Sequence, residues 1–491
     1  MKSITIQNFK GVNLFEGLWS EGYSSWAKGV DFMGLNDNPQ KISFPGIMQG
    51  AIKDSIMAEA SGVSGITEPI QDFAYYPEDL KFYAIGRVNP GRIYRLENSG
   101  GTDTWTWVSA ITVSGNGNNL QEYSGELYYA TNSYIGKYNG TTGDANWNSF
   151  SDSLTSPRPM KVFGGSLYVG AGRYVSKYDG VTWTEQKLIL PDDFVVRSLE
   201  VYEDRLFITA DDLAQSKVFV WDGVSVTYED FITVGDESRG ISIVASNGLL
   251  WGVSNKGSAF LTNQVYVFNG NIFEAILTLP IQRTDDFAPP LGIASYKNGV
   301  LIASSDPSAA DYEAGSGGLW YVGKDLSRGE YYSVLLFTRN SSATTRVLYG
   351  CFTGGNLSPN SKDIPVLWSN LVNTTYEILT LDTTNYYTDV GGTWQSLPID
   401  AGTPNTDKIW NSIEIDAESD ISSTNSVAIS YRLNHGSTWT TLKTLTATTD
   451  INKRIPIRAK GRAIEIRIVL GSSSSRGTRV RAFTLNYEET K

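Results

Sequence analysis

The chain has 491 residues, with 40 lysines and arginines against 52 aspartates and glutamates, and a formal net charge of −12. Its 41% hydrophobic and 12% aromatic content exclude an intrinsically disordered chain, and its length indicates two or three domains. It contains one cysteine, Cys351, and one histidine, His435. A single cysteine excludes an intrachain disulfide, and two such residues are too few for a zinc site built from Cys and His ligands. A Ser–His–Asp triad would have to use His435.

Residues 1–55 form the first segment, and they match neither of the two patterns found later in the chain. They begin without the apolar run of a secretory signal, so we expect none. The whole sequence contains no run of about 18 apolar residues, and we therefore expect no membrane span. The Gly, Asn and Trp content of residues 1–55 predicts an extended leader that packs on the next domain or on a neighbouring subunit.

Residues 56–382 repeat a short unit in which a polar or glycine turn precedes an apolar strand, as in Gly125–Ala130 and Gly165–Gly170. A second strand in most units ends in an aromatic residue followed by Asn-Gly or Asp-Gly. The last glycines of these pairs are separated by 40, 43 and 47 residues, which is the period of a four-stranded propeller blade. The sequence predicts a β-propeller of about seven blades. Each Asn/Asp-Gly pair is predicted to supply the two positive φ angles of a two-residue hairpin.

Residues 383–491 have longer strands with alternating apolar and polar residues, such as Trp410–Ile415 and Ala463–Leu470. This pattern predicts a β-sandwich or jelly roll, so the expected fold class is all-β. Within it, residues 451–491 contain ten basic and three acidic residues, a net charge of +7, which leaves −19 on the rest of the chain.

The basic strands of this last segment suggest a candidate interface of outward-facing arginines, namely Arg467, Arg479 and Arg481. Three interpretations are open. The charges could form a solvated face that protects edge strands, a surface that docks the acidic body of a neighbouring subunit, or a lining for DNA.

The segment Arg432–Trp439 resembles the Asp-box turn of sialidase propellers, with Asn434 in place of the acid. In that motif the side chain and the glycine shape the turn while the tryptophan fills the core. We therefore predict structural turn roles for Asn434, Gly436 and Trp439, and an exposed position for His435.

Other polar patterns indicate no chemistry. Asp144–Asn148 has the start of a calcium-loop spacing but lacks its later glycine and glutamate, which favours a polar loop. The acidic pairs are predicted to be solvated residues between strands rather than glycosidase carboxylates; they are Asp192–Asp193, Asp211–Asp212 and Asp285–Asp286. Four hairpin aromatics are predicted to pack in the core rather than stack on sugars; they are Trp221, Trp251, Trp320 and Tyr321. No catalytic residue, cofactor or metal site is predicted.

Three leader elements, Asn8–Asn13, Trp26–Phe32 and Ser43–Gly46, resemble short motifs at the start of virion proteins of tailed bacteriophages. In those proteins a propeller follows, and then a sandwich with a turn like Asn434–Trp439. The order of parts is similar to podophage tail nozzle proteins, and the leader is similar to siphophage minor tail proteins.

The resemblance implies a non-enzymatic tail component of a virion, assembled in the host cytoplasm. Its implied partners are other tail proteins and further copies in a ring, with DNA in the tail channel as an additional option. Two alternatives keep the same fold. One is an adsorption module that binds host-surface glycan through loops on one propeller face, and the other is a sialidase-like glycan hydrolase.

Overall fold

The structure is a computed structural model that describes residues 1–7, 9, 24–28, 30–31, 48–50, 52–59, 66, 68, 70–87, 90–99, 102–109, 111, 113–150, 157–212, 214–236, 238–256, 262–279, 292–304, 318–324, 330–337, 346–353, 366–372, 375–386, 392–418, 421–471 and 478–490. Across these ranges the regular structure is β-strand, apart from one 3-10 turn at Thr448–Asp450. None of the described segments is a helix long and apolar enough to cross a membrane.

The strands in the first half of the chain are β1 (Lys2–Gln7), β2 (Ser24–Lys28), β3 (Val30–Asp31), β4 (Met48–Gly50), β5 (Ile52–Glu59), β6 (Ile70–Tyr76), β7 (Lys81–Gly86), β8 (Ile93–Ser99), β9 (Thr102–Trp107), β10 (Gly117–Tyr123), β11 (Glu126–Thr131), β12 (Tyr134–Tyr138), β13 (Gly143–Ser149), β14 (Met160–Phe163), β15 (Ser166–Ala171), β16 (Tyr174–Tyr178), β17 (Trp183–Ile189), β18 (Val195–Tyr202), β19 (Arg205–Asp211), β20 (Gln215–Trp221) and β21 (Asp230–Asp236). Those in the second half are β22 (Ser238–Ser246), β23 (Leu249–Lys256), β24 (Thr262–Phe268), β25 (Phe273–Leu279), β26 (Ile293–Tyr296), β27 (Gly299–Ser304), β28 (Gly318–Lys324), β29 (Tyr331–Phe337), β30 (Arg346–Thr353), β31 (Val366–Val372), β32 (Thr375–Tyr386), β33 (Gly392–Ser396), β34 (Lys408–Ala417), β35 (Val427–Leu433), β36 (Thr440–Leu445), β37 (Ile455–Gly461), β38 (Ile464–Leu470) and β39 (Arg479–Glu489).

The chain divides into two compact units. The propeller unit comprises Ser55–Gly318 and Ser341–Thr380, and the sandwich unit comprises Met1–Asp54, Leu319–Asn340 and Leu381–Lys491.

The propeller unit is a closed ring of seven blades. Five blades are antiparallel four-stranded meanders formed by β6–β9, β10–β13, β14–β17, β18–β21 and β22–β25. The hairpin β26–β27 supplies the inner strand of the next blade, and the sheet β30-β31-β32-β5 forms the last. Each inner strand contacts the inner strand of the following blade, and β30 contacts β6. The predicted all-β fold with a propeller of about seven blades and a following sandwich is confirmed.

The core of this unit lies between adjacent blades, which explains why its strands lack a polar face. All six residues of β15 are buried, because neighbouring blades cover both faces of its sheet. Tyr168 of the third blade meets Trp221 of the fourth in an edge-to-face contact, with ring centroids 5.5 Å apart. Trp221 and Trp251 are fully buried, as are Trp320 and Tyr321, which belong to the sandwich unit, so the interpretation of all four as core residues is confirmed.

The turns that end in Asn/Asp-Gly differ from the predicted two-residue hairpins. Only the glycine of each pair has a positive φ, for example 96° at Gly180. The preceding side chain stabilises the turn instead, since Asp179 Oδ1 accepts the N–H groups of Val181 (2.9 Å) and Thr182 (2.7 Å). Such a side-chain turn replaces one of the two positive φ angles with a pair of hydrogen bonds. The same arrangement occurs at Asn139, Asp222 and Asn269.

The sandwich unit contains two sheets with a shared aromatic core. One has the order β3-β4-β39-β34-β37 with β1 also paired to β39, and the other contains the order β28-β29-β2-β33-β38-β35-β36. Trp394 of β33 and Phe483 of β39 lie 6.0 Å apart, and Phe9 packs against Trp394 with ring centroids at 5.0 Å. The core therefore joins the two sheets.

Two predicted segment boundaries differ from this arrangement. The predicted leader, residues 1–55, contributes strands to sheets, because β1 pairs with β39 from Lys2 to Gln7 and β2 pairs with β33. Residues 319–340, predicted within the propeller, belong to the sandwich unit, where β29 pairs with β2. Pairing supplies partners for the backbone N–H and C=O groups that an isolated extended segment would leave unpaired. Most of the three phage-like leader motifs lies outside the described residues.

Candidate functional site

The centre of the propeller is a cavity of about 340 Å³ bounded by all seven inner strands. Its wall is mixed, with apolar residues between polar and charged ones. The lining includes side chains able to act chemically, among them Asp72, Asn119, Lys161, Ser198, Glu200 and Cys351.

Asp72 links the first and second blades. Its side chain is 7% exposed, and its Oδ2 accepts hydrogen bonds from Asn119 Nδ2 and the Leu120 N–H, both at 2.8 Å. Burial raises the pKa of this carboxyl to about 7, although bonds from the backbone of Leu120 and Phe73 act in the opposite direction. The carboxyl is therefore a buried group that joins two blades by hydrogen bonds and can titrate near neutral pH.

Equivalent bonds join other neighbouring blades. Asn119 Oδ1 accepts the Met160 N–H at 3.1 Å, from the second blade to the third. Ser198 Oγ accepts the Ile243 N–H at 3.3 Å, from the fourth blade to the fifth. In each case a polar side chain on one inner strand satisfies a backbone group on the next, so the polar lining of the cavity holds the ring together.

Two further links between blades involve ion-paired carboxylates. Lys161 Nζ lies 2.8 Å from Glu200, which joins the third and fourth blades. Arg197 binds both carboxylate oxygens of Asp211, at 2.7 and 2.9 Å, and Asp211 also accepts the Gly240 N–H at 3.0 Å.

The predicted solvated acidic pairs therefore need correction at Asp211, which is 2% exposed because Arg197 neutralises it in the interior. Asp212 holds a turn by accepting the N–H groups of Ala214 and Gln215. Asp192 is exposed and contacts Arg173. The pair Asp285–Asp286 lies outside the described residues.

The segment Asp144–Asn148, predicted to be a polar loop, lies within strand β13 instead. In a strand, the alternate residues Asp144, Asn146 and Asn148 lie in an extended row along one face, so they cannot wrap around an ion as a loop would. In the parts of the chain that the structure describes, no cluster of three His, Cys, Asp or Glu residues could hold a metal.

The single cysteine and the single histidine lie in different environments. Cys351 is buried in the lining of the propeller cavity, and burial raises the pKa of its thiol. His435 is exposed in the turn after β35, where its Nδ1 lies 3.4 Å from Glu465 Oε1. A thiol with a raised pKa is a poor nucleophile because little thiolate is present at neutral pH.

The turn that resembles an Asp-box is fixed by its asparagine. Asn434 Oδ1 accepts the N–H groups of Arg462 (2.8 Å) and Ala463 (3.2 Å), and the Gly436 N–H donates to the Leu433 carbonyl at 2.9 Å. Asn434 and His435 both have positive φ, 49° and 59°. This geometry agrees with a turn-forming role for Asn434.

Trp439 of the same motif lies on the sheet surface, half-buried, rather than in the core. The guanidinium groups of Arg432 and Arg467 both lie 4.7 Å from its ring centroid. Beneath them the buried Glu465 accepts bonds from Arg432 at 3.0 and 2.5 Å. The alternation of charges in Ile464–Ile468 placed Arg467 on this face but gave no sign of its contact with Trp439.

The other two predicted interface residues share one carboxylate. Arg479 and Arg481 lie 3.0 and 3.6 Å from the oxygens of Glu418. Together with the stacking of Arg467, these pairs reduce the charge available to a second subunit. An interface role for Arg467, Arg479 and Arg481 stays a prediction.

A repeated bond that the sequence motif did not reveal joins the blades at one end of the propeller. Tyr76 O–H donates to the Gly125 carbonyl at 2.7 Å, and Tyr123 O–H donates to the Gly165 carbonyl at 2.9 Å. Each tyrosine ends an inner strand, and each glycine belongs to the first turn of the next blade. The recurrent tyrosine at the strand end was the available signal. We call this end, which carries the turns after the first and third strands of the five four-stranded meanders, the turn face.

Comparisons with known proteins show only distant similarity. No family model and no curated protein matches the chain. Among solved structures, the computationally designed Ika8 protein is 11% identical with a TM-score of 0.39, covering 66% of this chain and 100% of its own. A putative 6-phosphogluconolactonase from Bacteroides uniformis is 11% identical with a TM-score of 0.42, covering 61% and 93%. YCF48 bound to D1 peptide is 13% identical with a TM-score of 0.43, covering 69% and 96%. These likenesses are too distant to indicate a function.

Proposed function

We propose that the chain is a non-enzymatic structural component of a tailed-bacteriophage virion, located in the tail as a tip, nozzle or minor tail protein. The observation that supports a structural role best is the engagement of polar groups at the propeller centre. Asp72, Asn119 and Ser198 bind the backbone of neighbouring blades, and Lys161 pairs with Glu200. Groups used in this way make a rigid ring and are not free to act on a substrate.

The positions of the two most reactive residue types support the non-enzymatic part of the proposal. The Cys351 thiol is buried and its pKa is raised, and His435 is exposed beside a carboxylate that Arg432 already neutralises. The assignment to a phage tail comes from the resemblance of the leader motifs and of the order of domains. The proposed partners are other tail proteins and further copies of this chain, with DNA in the tail channel as an additional contact.

The proposal is tested on purified particles of the phage whose genome encodes the chain. Mass spectrometry should detect the chain at several copies per particle, and antibodies to it should label the tail in electron micrographs. The substitutions His435→Ala and Cys351→Ser should leave infectivity unchanged. Absence of the chain from purified particles would contradict the virion role, and loss of infectivity in either variant despite normal incorporation would contradict the non-enzymatic role.

A role in adsorption to host glycan is the second candidate. It shares the fold and would use the turn face, whose turns carry exposed apolar residues such as Val181 and Ile272. If the isolated chain blocked adsorption of the phage to cells, and enzymatic removal of surface glycan abolished its binding, the adsorption role would replace the purely structural one.

A further inference from the structure

One end of the fourth blade combines exposed apolar and acidic side chains. Residues 202–205 and 222–230, here called the blade-four tip, form the β18–β19 and β20–β21 connections on the turn face. Val224 and Val226 are 68% and 78% exposed there. The tip contains five acidic residues against one basic residue, Arg205, which is paired with Glu229 at 2.7 Å. Two exposed valines thus lie within a strongly negative surface.

The blade-four tip is held rigidly. Asp222 Oδ1 accepts the N–H groups of Val224 and Ser225, both at 2.8 Å, and the Ser225 hydroxyl donates to Asp222 Oδ2 at 2.6 Å. Trp221 Nε1 donates to the Ser225 carbonyl at 3.0 Å, and Tyr168 O–H donates to the Gly223 carbonyl at 2.8 Å. A surface fixed in this way loses little conformational entropy when a partner binds. The tip is therefore preorganised for contact.

The sandwich unit carries a surface of opposite charge along β37. Residues 453–462, here called the basic edge, contain five basic and no acidic residues. Lys453 and Arg458 are exposed. Arg454 pairs with Glu414, while Lys460 and Arg462 lie 3.2 and 3.6 Å from a single carboxylate, Asp407. The basic edge thus keeps a net positive charge after its own ion pairs are counted.

The backbone of the basic edge is poorly suited to pairing with a further strand. Among the strands that the structure describes, β37 lies at the end of its sheet and pairs only with β34. Its register shifts near Arg458, whose φ is 54°, and Pro456 is exposed. A bulge and a proline discourage edge-to-edge strand addition. The edge can therefore be engaged through side chains, with Pro456 and the partly exposed Ile409 as apolar contacts among the cations.

We infer that the blade-four tip of one copy binds the basic edge of a second copy of this chain. The two surfaces match in charge, and each has exposed apolar side chains among its charges. Because they are different surfaces, the contact is head-to-tail, and repetition gives a ring or a filament. The inference rests on the proposed structural role for its purpose, but its test uses the isolated chain, so the two can fail separately.

The test measures the molar mass of the purified full chain by light scattering over a range of concentrations and salt. At about 0.1 M salt, where charges act over about 10 Å, the mass should rise with concentration to multiples of the monomer. At about 1 M salt the range falls to about 3 Å, and the mass should return to that of the monomer. A monomer at every concentration in low salt would overturn the inference.

Charge exchange identifies the surfaces. Glu203→Lys and Arg458→Glu each replace one long side chain by another at a φ, 46° and 54°, that a non-glycine residue already adopts. Each single change should weaken self-association at least about tenfold, since it places like charges together. A chain with both changes should recover, because the pair is restored with reversed signs. Asp193→Lys, an equal charge change at an exposed residue with a φ of 71°, in the connection between the third and fourth blades and away from the turn face, is the control and should have no effect.

Two outcomes refute the assignment of surfaces. One is a double variant that stays monomeric although its circular dichroism and thermal unfolding match those of the natural chain. The other is normal association of either single variant, and loss of binding to duplex DNA in Arg458→Glu would then assign the basic edge to nucleic acid. If Arg458→Glu disturbs the bulge, Lys453→Glu tests the same contact from an exposed position.

Discussion

Ionisation of Asp72 should destabilise the propeller as the pH rises. Burial raises the pKa of this carboxyl from its ordinary value of 3.8 to about 7, so between these values the folded chain holds a proton that the unfolded chain releases. The resulting stabilisation is complete below pH 3.8 and is lost as the pH rises through about 7. With about 1.36 kcal/mol for each pKa unit, the shift corresponds to about 4 kcal/mol.

The substitution Asp72→Asn isolates this effect. Asparagine keeps an oxygen that can accept from Asn119 Nδ2 and the Leu120 N–H, but it cannot ionise. Urea unfolding followed by tryptophan fluorescence should therefore show that the variant becomes more stable relative to the natural chain as the pH rises. We expect its unfolding free energy relative to the natural chain to increase by about 3 kcal/mol between about pH 4.5 and pH 7.

The comparison of two chains removes other titrations. The pKa of Asp212 is lowered because its hydrogen bonds outweigh the opposite effect of burial, and the pKa of Asp222 is lowered chiefly by the hydrogen bond from Ser225. Both residues titrate in the two chains, so their effects cancel in the difference. Asp193→Asn, at an exposed carboxylate whose φ of 71° suits asparagine, is the matched control and should give a difference that does not vary with pH. A flat profile for Asp72→Asn as well would mean that the carboxyl is solvated or paired with a cation, and the argument from burial would be wrong.

Three further predictions concern single groups. Arg197→Met should lower the unfolding free energy by about 3–5 kcal/mol, because it leaves the buried Asp211 carboxylate without its cation; a loss below about 1 kcal/mol would contradict this. Tyr76→Phe removes the bond to the Gly125 carbonyl and should cost about 1 kcal/mol in the same assay, whereas an unchanged value would show that the inter-blade bond is dispensable. The Cys351 thiol should react with a disulfide reagent only as the chain unfolds, and rapid reaction of the folded chain would disprove its burial.

The glycine period predicted the propeller because five of its blades are local meanders. Turns such as Gly125 and Gly165 lie between strands that are close in sequence, so the pattern and the pairing coincide. The predicted conformation of the Asn/Asp-Gly turns was wrong. The sequence alone does not distinguish a turn with two positive φ angles from a side-chain turn with one positive φ angle. Asp179 and Gly180 have the residue types that suit both arrangements.

Non-local pairing explains the other differences. Nothing in the sequence of Ile52–Glu59 indicates that it completes a sheet with strands about 300 residues later, or that Tyr331–Phe337 pairs with a leader strand. The polar side chains that join neighbouring blades were also not predicted, because Asp72, Asn119 and Ser198 form no sequence motif. Their available signal was a polar residue within an otherwise apolar inner strand, where a buried polar group needs a partner.

The position of β5 in the last blade has a consequence for synthesis of the protein on the ribosome. Of the four strands of this blade, Ile52–Glu59 leaves the ribosome first, but the strand beside it, β32, ends at Tyr386. At about 5–20 residues per second, roughly 15–65 seconds pass before its partner exists. During this time the other blades can form in order while the ring stays open and the edge of β5 is available for wrong pairings. The yield of native protein should therefore depend on elongation rate and on chaperones that cover exposed strand edges.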